Sequence, residues 1–211
     1  MEIPYNYIAI EGNIGAGKTS FSSRLAADFN AKLILERFED NSFLPKFYEN
    51  PDIYAFPLEM SFLADRYQQL KEKLTARELF KTFTVSDYFI DKSLIFARNN
   101  LKPDEFNLYS RLFYIISASL PKPDLILYLH AGVSQLVSNI LKRGRDYEKK
   151  IRDSYLERIQ AGYLAHFRSL TNIPVLIIDT NDMDFVALDE DYKTLVHLLE
   201  KKYIPGLHRI D

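Results

Sequence analysis

The sequence of 211 residues contains no cysteine and no tryptophan. Disulfide bonds and thiolate metal sites are therefore excluded, and the chain suits a reducing compartment. Its net charge is only −2 at pH 7, so bulk attraction to nucleic acid or to an anionic membrane is not expected. It has no apolar run of membrane-spanning length, and its first residues do not form a basic segment followed by an apolar one. We expect a cytoplasmic protein without nucleic-acid or membrane partners.

The length and the pattern of apolar residues indicate the fold class. A chain of 211 residues suits one α/β domain with a full core, and we expect residues 1–211 to form a single domain. Short apolar runs alternate with amphipathic helical segments, which is typical of a parallel sheet covered by helices on both faces. We interpret 205–211 as a tail. The five predicted strands are 7–10, 31–35, 80–86, 125–129 and 174–179.

A glycine-rich segment between the first predicted strand and a predicted helix over 20–29 fits the pattern G-x-x-x-x-G-K-[S/T] at every required position. Glycines and a helix N-terminus bring backbone N–H groups close to phosphate oxygens. The lysine suits β- and γ-phosphates, and the threonine hydroxyl suits Mg²⁺. The segment predicts binding of a nucleoside triphosphate through Gly12, Asn13, Ile14, Gly15, Ala16, Gly17, Lys18 and Thr19.

Two carboxylates follow predicted strands directly: Glu36 after the second and Asp87 after the third. Because the carboxyl ends of parallel strands meet at the ligand-binding edge of a sheet, both are site candidates. Taken alone, an isolated Glu36 is more often a solvated loop acid. Asp87 also fits the acid that holds Mg²⁺ in nucleotide-binding folds, and the strand pattern alone leaves that assignment open.

Two further groups of charged residues allow alternative interpretations. Glu59 and Arg66 share one face of a helix predicted over 58–74, where they could meet a polar ligand edge or form an exposed ion-paired face. Arg143 and Arg145 flank a glycine in a local basic cluster. Such arginines could fold over phosphates or remain a solvated surface, and both alternatives stay open.

Taken together, the residues resemble the deoxynucleoside kinase family, which includes deoxycytidine, deoxyguanosine and deoxyadenosine kinases. The resemblance covers nearly the whole chain and implies a P-loop kinase fold, ATP-dependent phosphorylation of a deoxynucleoside 5′-hydroxyl with Mg²⁺, and a homodimer. It is carried by 10–19, Glu36, Phe47-Tyr48, the helix with Glu59 and Arg66, 95–97 and 143–148.

The same resemblance implies individual roles. Glu36 would be the general base that accepts the proton of the 5′-hydroxyl, with the donor phosphates held by Lys18 and its loop. Arg143 and Arg145 would be lid arginines on the transferring phosphoryl group. The donor adenine would lie near 181–185. The remaining implied contacts are those of Tyr48 and Glu148 with the sugar 3′-hydroxyl and of Phe96 with the face of the base.

Three positions depart from the family pattern. Members usually carry Asp/Glu-Arg-Ser/Thr after the third strand, whereas this chain has Ser86-Asp87-Tyr88, so the arginine is absent even if Asp87 replaces the acid. Glu59 stands where glutamine is usual, and an ionised glutamate only accepts hydrogen bonds. Lys92 stands where an acid helps to set base preference in some members. These changes predict altered substrate choice or reduced catalysis.

Three hypotheses follow. Loss of a cation beside the transferring phosphoryl group costs orders of magnitude unless Arg143, Arg145 or Lys92 replaces it. The retained motif residues favour a deoxynucleoside kinase with an altered base pocket. The missing arginine favours a nucleotide-binding module with little activity, regulatory or partner-binding. A nucleoside monophosphate kinase would need basic residues for the acceptor phosphate, whereas Glu36 and Glu59 make those surroundings acidic.

Overall fold

The computed structural model describes residues 2–38, 41–76 and 78–210. Within them, the strands are β1 (Tyr7–Gly12), β2 (Lys32–Ile34), β3 (Thr84–Ser86), β4 (Leu125–His130), β5 (Pro174–Asp179) and β6 (Gly206–Ile210). These described strands form one six-stranded sheet in the order β2-β3-β1-β4-β5-β6, and every pairing is parallel. The loops that leave β1, β2 and β3 therefore emerge at the same edge, where open α/β sheets bind ligands.

The strand count and the interpretation of the C-terminal segment need correction. Five strands were expected, but the predicted tail contains β6, which pairs with β5 in the register Val175↔Leu207. Its side chains alternate between half-buried and exposed, so the segment has no apolar run that would mark a strand. Backbone pairing at the sheet edge holds it instead. Asp211 lies outside the described residues.

The helices complete the α/β pattern. They are α1 (Lys18–Asp28), α2 (Leu44–Glu49), α3 (Pro51–Thr75), α4 (Lys92–Asn100), α5 (Pro103–Ser117), α6 (Val133–Arg143), α7 (Asp153–Ser169) and α8 (Asp189–Leu199), with a 3₁₀ helix at Asp146–Lys150. The prolines and aromatic residues of 41–57 predict an ordered connection, and this segment supplies α2 and the first turns of α3. Among the described residues, no helix combines the length and the apolar character needed to cross a bilayer.

Two elements near the site are shorter than expected. β3 begins at Thr84 rather than at residue 80, because Leu79 and Phe80 are exposed and add nothing to the core. The apolar residues of 88–100 predict a helix over that range, but α4 begins only at Lys92. The preceding residues are fixed in a non-helical path, since the Phe89 N–H donates to the buried Glu11 carboxylate at 2.9 Å. This path leaves Asp87 at the strand end.

The sheet is buried on both faces, as the strand pattern predicts. Ile8 and Ile10 of β1 pack on one side with α1, α6 and α8, whereas Ala9 packs on the other with Tyr163 and Phe167 of α7. This alternation follows from the period of two in a strand. A third apolar cluster joins α2, α3, α4 and α5 beside the carboxyl edge of the sheet. The predicted class, an α/β parallel sheet between helical layers, is therefore confirmed.

Candidate active site

The glycine-rich loop connects the end of β1 to the start of α1. Gly15 and Gly17 adopt φ angles of +85° and +82°, which side chains rarely tolerate. A Cβ at Gly17 would also stand 2.7 Å from Cζ of Phe185. The Nζ atom of Lys18 donates to the carbonyl oxygens of Gly12 and Asn13, both at 2.8 Å. The loop and the first turn of α1 thus form a backbone concavity suited to an anion.

The other loop residues fix its shape. Asn13 is buried, and its amide donates to the carbonyl of Leu156 at 2.8 Å while its Oδ1 accepts from the Ile14 N–H at 2.9 Å. Ala16 packs in the main apolar cluster. Asn139 of α6 donates to the Gly15 carbonyl at 2.9 Å. These contacts hold the loop in place.

Thr19 and Asp87 form the second feature of the site. Thr19 Oγ1 donates to Asp87 Oδ2 at 2.6 Å, and Asp87 Oδ1 accepts from the Glu36 N–H at 2.7 Å. Burial and then the nearby Glu36 charge raise the pKa of Asp87. A hydroxyl and a carboxylate are oxygen donors of the kind that Mg²⁺ takes together with phosphate oxygens. The described residues contain no group of three or more metal-ligating His, Asp or Glu side chains.

Glu36 lies between two buried cations. Its Oε1 accepts from Arg66 Nε at 2.7 Å, and its Oε2 lies 2.5 Å from Lys92 Nζ. Burial alone would raise the pKa of Glu36, but Lys92 and then Arg66 lower it to about 2. The side chain is only 11% exposed. Glu36 is therefore an ionised carboxylate held in one orientation.

Lys92, expected either to affect base preference or to replace the missing arginine, lies beside Glu36. Its Nζ lies 2.5 Å from Glu36 Oε2, and its charge is the next cause after burial that lowers the pKa of Lys18 to about 8. Tyr88, which stands in place of the expected arginine, is buried and donates to Gln69 Oε1 at 2.5 Å. The first residue of α4 thus supplies a cation to the site. The lysine in Asp91-Lys92-Ser93 was the available signal.

The end of α6 and the 3₁₀ helix bring the basic cluster over the same edge. Arg143 donates to Glu148 Oε2 from Nε at 3.0 Å and from Nη2 at 2.6 Å. Arg145 Nη1 donates to Glu148 Oε1 at 3.4 Å, and its guanidinium lies 4.2 Å from the ring centroid of Phe38. Arg143, Arg145 and Glu148, all site candidates from the sequence, therefore form one ion-paired group in which Glu148 is buried.

Aromatic and polar side chains of α2, α3, α4 and α7 line an inner cavity. Tyr48 stacks on Tyr147 with ring centroids 6.2 Å apart, and burial raises its pKa. Glu59 is buried, and its Oε1 accepts from Asn100 Nδ2 at 2.7 Å. Phe96 packs edge-on against Tyr163. The face of α3 that sequence reasoning left open is thus turned inward.

The predicted residues gather around two adjoining cavities. The outer cleft has a volume of about 960 Å³ and is lined by the glycine-rich loop and by Met183, Asp184 and Phe185 from the predicted donor-adenine region. Asn181 of that region instead accepts from the Gly132 N–H at 2.7 Å. The inner cavity is lined by Tyr48, Glu59, Arg66, Phe96 and Glu148. Both cavities share Lys18, Thr19, Glu36, Asp87, Arg143 and Arg145.

The outer cleft carries a phosphate-binding loop, the inner cavity is lined by aromatic side chains, and the ionised Glu36 lines both. This arrangement defines a nucleotide-dependent phosphotransferase. Comparison with known proteins agrees. Residues 8–205 match the family model for deoxynucleoside kinase. The chain is 38% identical over 195 residues to the deoxyguanosine kinase of Bacillus subtilis (strain 168), covering 90% of this chain and 93% of the relative. The chain belongs to the deoxynucleoside kinase family.

Other relatives agree on the family. The chain is 30% identical over 199 residues to the deoxyadenosine kinase of Dictyostelium discoideum, with 93% of this chain and 79% of the relative covered. A structure of deoxyadenosine kinase from M. mycoides with bound dATP has a TM-score of 0.79 at 22% identity, covering 92% of this chain and 99% of that one. That similarity confirms the fold. The prediction of a phosphotransferase is confirmed, and the non-catalytic alternative is not favoured.

Proposed function

We propose that the protein transfers the γ-phosphoryl group of ATP to the 5′-hydroxyl of a deoxynucleoside, with Mg²⁺, in the two adjoining cavities. One observation carries the proposal: the ionised Glu36 carboxylate lines both cavities, and so does Lys18 of the phosphate loop. A hydroxyl that enters from the inner cavity and a phosphate chain that lies in the outer cleft would meet at this point. Positioning and charge neutralisation dominate catalysis of phosphoryl transfer.

At the acceptor end, Glu36 would bind and orient the 5′-hydroxyl and receive its proton. The oxygen–phosphorus bond forms as the bond from the γ-phosphorus to the bridging oxygen breaks, and ADP leaves. A carboxylate with a pKa near 2 is a weak base. It suits a loose transition state, in which the hydroxyl proton is transferred late. Arg66 and Lys92 keep this carboxylate ionised and pointing to the junction of the cavities.

At the donor end, the backbone N–H groups of the loop and Lys18 would hold the β- and γ-phosphates. The adjacent oxygens of Thr19 and Asp87, 2.6 Å apart, would hold Mg²⁺. When bound, the ion supplies positive charge to the phosphate oxygens. Arg143 and Arg145 line both cavities and would neutralise the transferring group once phosphate competes with Glu148 for their guanidinium groups.

In the inner cavity, Tyr48 and Glu148 would hold the sugar 3′-hydroxyl, and Phe96 would stack on the base. Glu59 and Arg66 would face the polar edge of the base. The relatives' names differ in the base, as in the deoxyguanosine kinase of Bacillus subtilis and the deoxyadenosine kinase of Dictyostelium discoideum. The base therefore has to be inferred from the cavity itself.

A homodimer in the cytoplasm is part of the proposal. Leu108, Leu112 and Ile115 lie at helical spacing on α5 and are exposed, which supports a face that a second copy covers. The cytoplasm supplies the ATP that the reaction consumes. Light scattering on the purified protein checks the assembly: a mass near 24.6 kDa, that of one chain, would contradict the dimer.

The reaction is tested by incubating the purified chain with γ-labelled ATP, Mg²⁺ and each of the four deoxynucleosides or their ribonucleoside counterparts. The proposal predicts labelled 5′-monophosphate from one or two deoxynucleosides, lost in Lys18→Ala. Lys122→Ala, exposed in the loop before β4 and outside both cavities, is the matched control and should keep the activity. Absence of transfer to every nucleoside, with ATP still bound, would contradict the proposal.

A further inference from the structure

Glu59 carries an unusual buried acceptor. Glu59 is only 1% exposed and lies in the wall of the inner cavity. Oε1 accepts from Asn100 Nδ2 at 2.7 Å, whereas Oε2 is buried and has no hydrogen-bond partner among the described residues. A buried polar atom without a partner destabilises a fold. Its presence in a cavity wall therefore points to a ligand that supplies the missing donor.

The surroundings of Glu59 restrict what that donor belongs to. Phe62 and Phe96 line the same cavity, which suits a flat ring. The Arg66 guanidinium lies 4.7 Å from the ring centroid of Phe62, so a positive charge stands on the same wall. A ring that offers hydrogen-bond donors to Glu59 and a carbonyl oxygen towards Arg66 would match this wall in both shape and charge.

Among the nucleobases, guanine has this pattern. Its N1–H and 2-amino group are two adjacent donors, and its O6 is an acceptor beside them. An ionised carboxylate accepts through both oxygens and has lone pairs left on Oε1 beside Asn100. We infer that Glu59 selects a guanine base, by accepting hydrogen bonds from N1–H and from the 2-amino group of deoxyguanosine. The inference deepens the proposed function and rests on it.

The other bases meet Glu59 with mismatched atoms. Adenine presents its 6-amino donor next to N1, which is an acceptor, and cytosine presents its 4-amino donor next to N3, also an acceptor. Thymine offers one N–H between two carbonyl oxygens. An ionised carboxylate facing an acceptor leaves both groups buried and unpaired, and sites built on hydrogen bonds discriminate strongly for this reason.

Protonation of Glu59 would change this pattern. Burial is the main cause that raises the pKa of Glu59, to about 7, and the Glu36 charge adds to it. Arg66 on α3 and Asn100 and Lys92 on α4 act in the opposite direction. The hydroxyls of Tyr109 on α5 and Tyr155 on α7 also face it. A protonated Glu59 has one donor and one acceptor, as glutamine does, and that pair suits adenine. Preference for guanine should therefore increase as the pH rises through 7.

Substrate analogues test the inference on the unmodified protein. At pH 8, we expect kcat/KM for deoxyinosine, which lacks only the 2-amino group, to be roughly 10- to 100-fold below that for deoxyguanosine, as for loss of a hydrogen bond to a charged group. N1-methyldeoxyguanosine should be poorer still. The deoxyguanosine-to-deoxyadenosine ratio of kcat/KM should fall at pH 6, and because both substrates share the enzyme, effects on the common chemistry cancel.

Glu59→Gln gives the complementary test. It should lower the deoxyguanosine-to-deoxyadenosine ratio by at least about tenfold and abolish the pH dependence of that ratio. Glu157→Gln, on the exposed side of α7, removes the same charge and should change neither. Equal use of deoxyguanosine and deoxyinosine, or an unchanged ratio in Glu59→Gln, would overturn the inference. Failure of every nucleoside to accept phosphate would instead contradict the proposed function.

Discussion

Lys92 Nζ and Glu36 Oε2 lie 2.5 Å apart, although α2, α3 and β3 separate these residues in the chain. The family pattern supplies a positive charge from the arginine that follows the acid at the end of the third strand. Tyr88 stands there in this chain and is buried. The cation comes instead from the first residue of α4, and this placement is compatible with an active kinase.

The first prediction concerns the proposed base. Glu36→Gln keeps the shape of the side chain but removes the proton acceptor, so kcat should fall by roughly 100-fold or more while KM changes little. Steady-state kinetics with the preferred deoxynucleoside measure both. Glu72→Gln, on the exposed side of α3, is the matched control. Turnover within about twofold of the unmodified protein would remove Glu36 from the chemistry.

The second prediction concerns Mg²⁺. Asp87→Asn removes the charge of one proposed metal ligand, so the Mg²⁺ concentration for half-maximal activity should rise by roughly 10- to 100-fold. Thr19→Ser keeps the hydroxyl and should behave like the unmodified protein. A MgCl₂ titration at fixed ATP measures the shift. An activity loss with an unchanged Mg²⁺ dependence would assign Asp87 a structural role instead.

The third prediction concerns the sugar. Glu148 accepts from Arg143 and Arg145, and Tyr48 lines the same cavity. The unmodified protein should prefer a deoxynucleoside over its 2′,3′-dideoxy analogue, since the analogue leaves Glu148 without the 3′-hydroxyl. Glu148→Gln should lose most of that preference. If the preference survives in the variant, Glu148 does not contact the 3′-hydroxyl.

The fourth prediction follows from the raised pKa of Glu59. Because its pKa is about 7 in the folded chain and lower in the unfolded chain, folding becomes less favourable as the pH rises from the unfolded pKa to about 7. Glu59→Gln lacks this penalty. At pH 8 its free energy of unfolding, measured by urea denaturation, should exceed that of the unmodified protein by about 1–3 kcal/mol, and the difference should narrow towards pH 5. A stability difference between the two proteins that does not change with pH would contradict the raised pKa of Glu59.

Local motifs made part of the site predictable from sequence. The glycine-rich loop is read from neighbouring residues, because glycines at positive φ and a helix start are encoded within one short segment. Strand-end acids are almost as local, and Glu36 and Asp87 do meet through the Glu36 N–H. Arg143 and Glu148 lie close in the chain, so their pairing follows from the turn around Gly144.

Other features depend on the tertiary fold. No spacing rule connects Lys92 with Glu36, because α4 reaches the end of β2 only after the sheet has formed. Helical spacing places Glu59 and Arg66 on one face, but an exposed face and a cavity wall have the same spacing. β6 was missed because an edge strand held by backbone pairing needs no apolar run. Burial and partner distances decide these cases.

The role of Lys92 as the cation beside Glu36 is tested by comparing kcat across pH for Lys92→Ala, Lys92→Arg and the unmodified protein. Lys92→Ala should lose roughly 100-fold or more of kcat, whereas Lys92→Arg should stay within about tenfold, because it keeps the charge beside Glu36. Removing Lys92 also removes the main charge that lowers the pKa of Glu36, so the acid limb of kcat should move to higher pH. If Lys92→Ala retains full turnover with an unmoved acid limb, Lys92 does not replace the missing arginine.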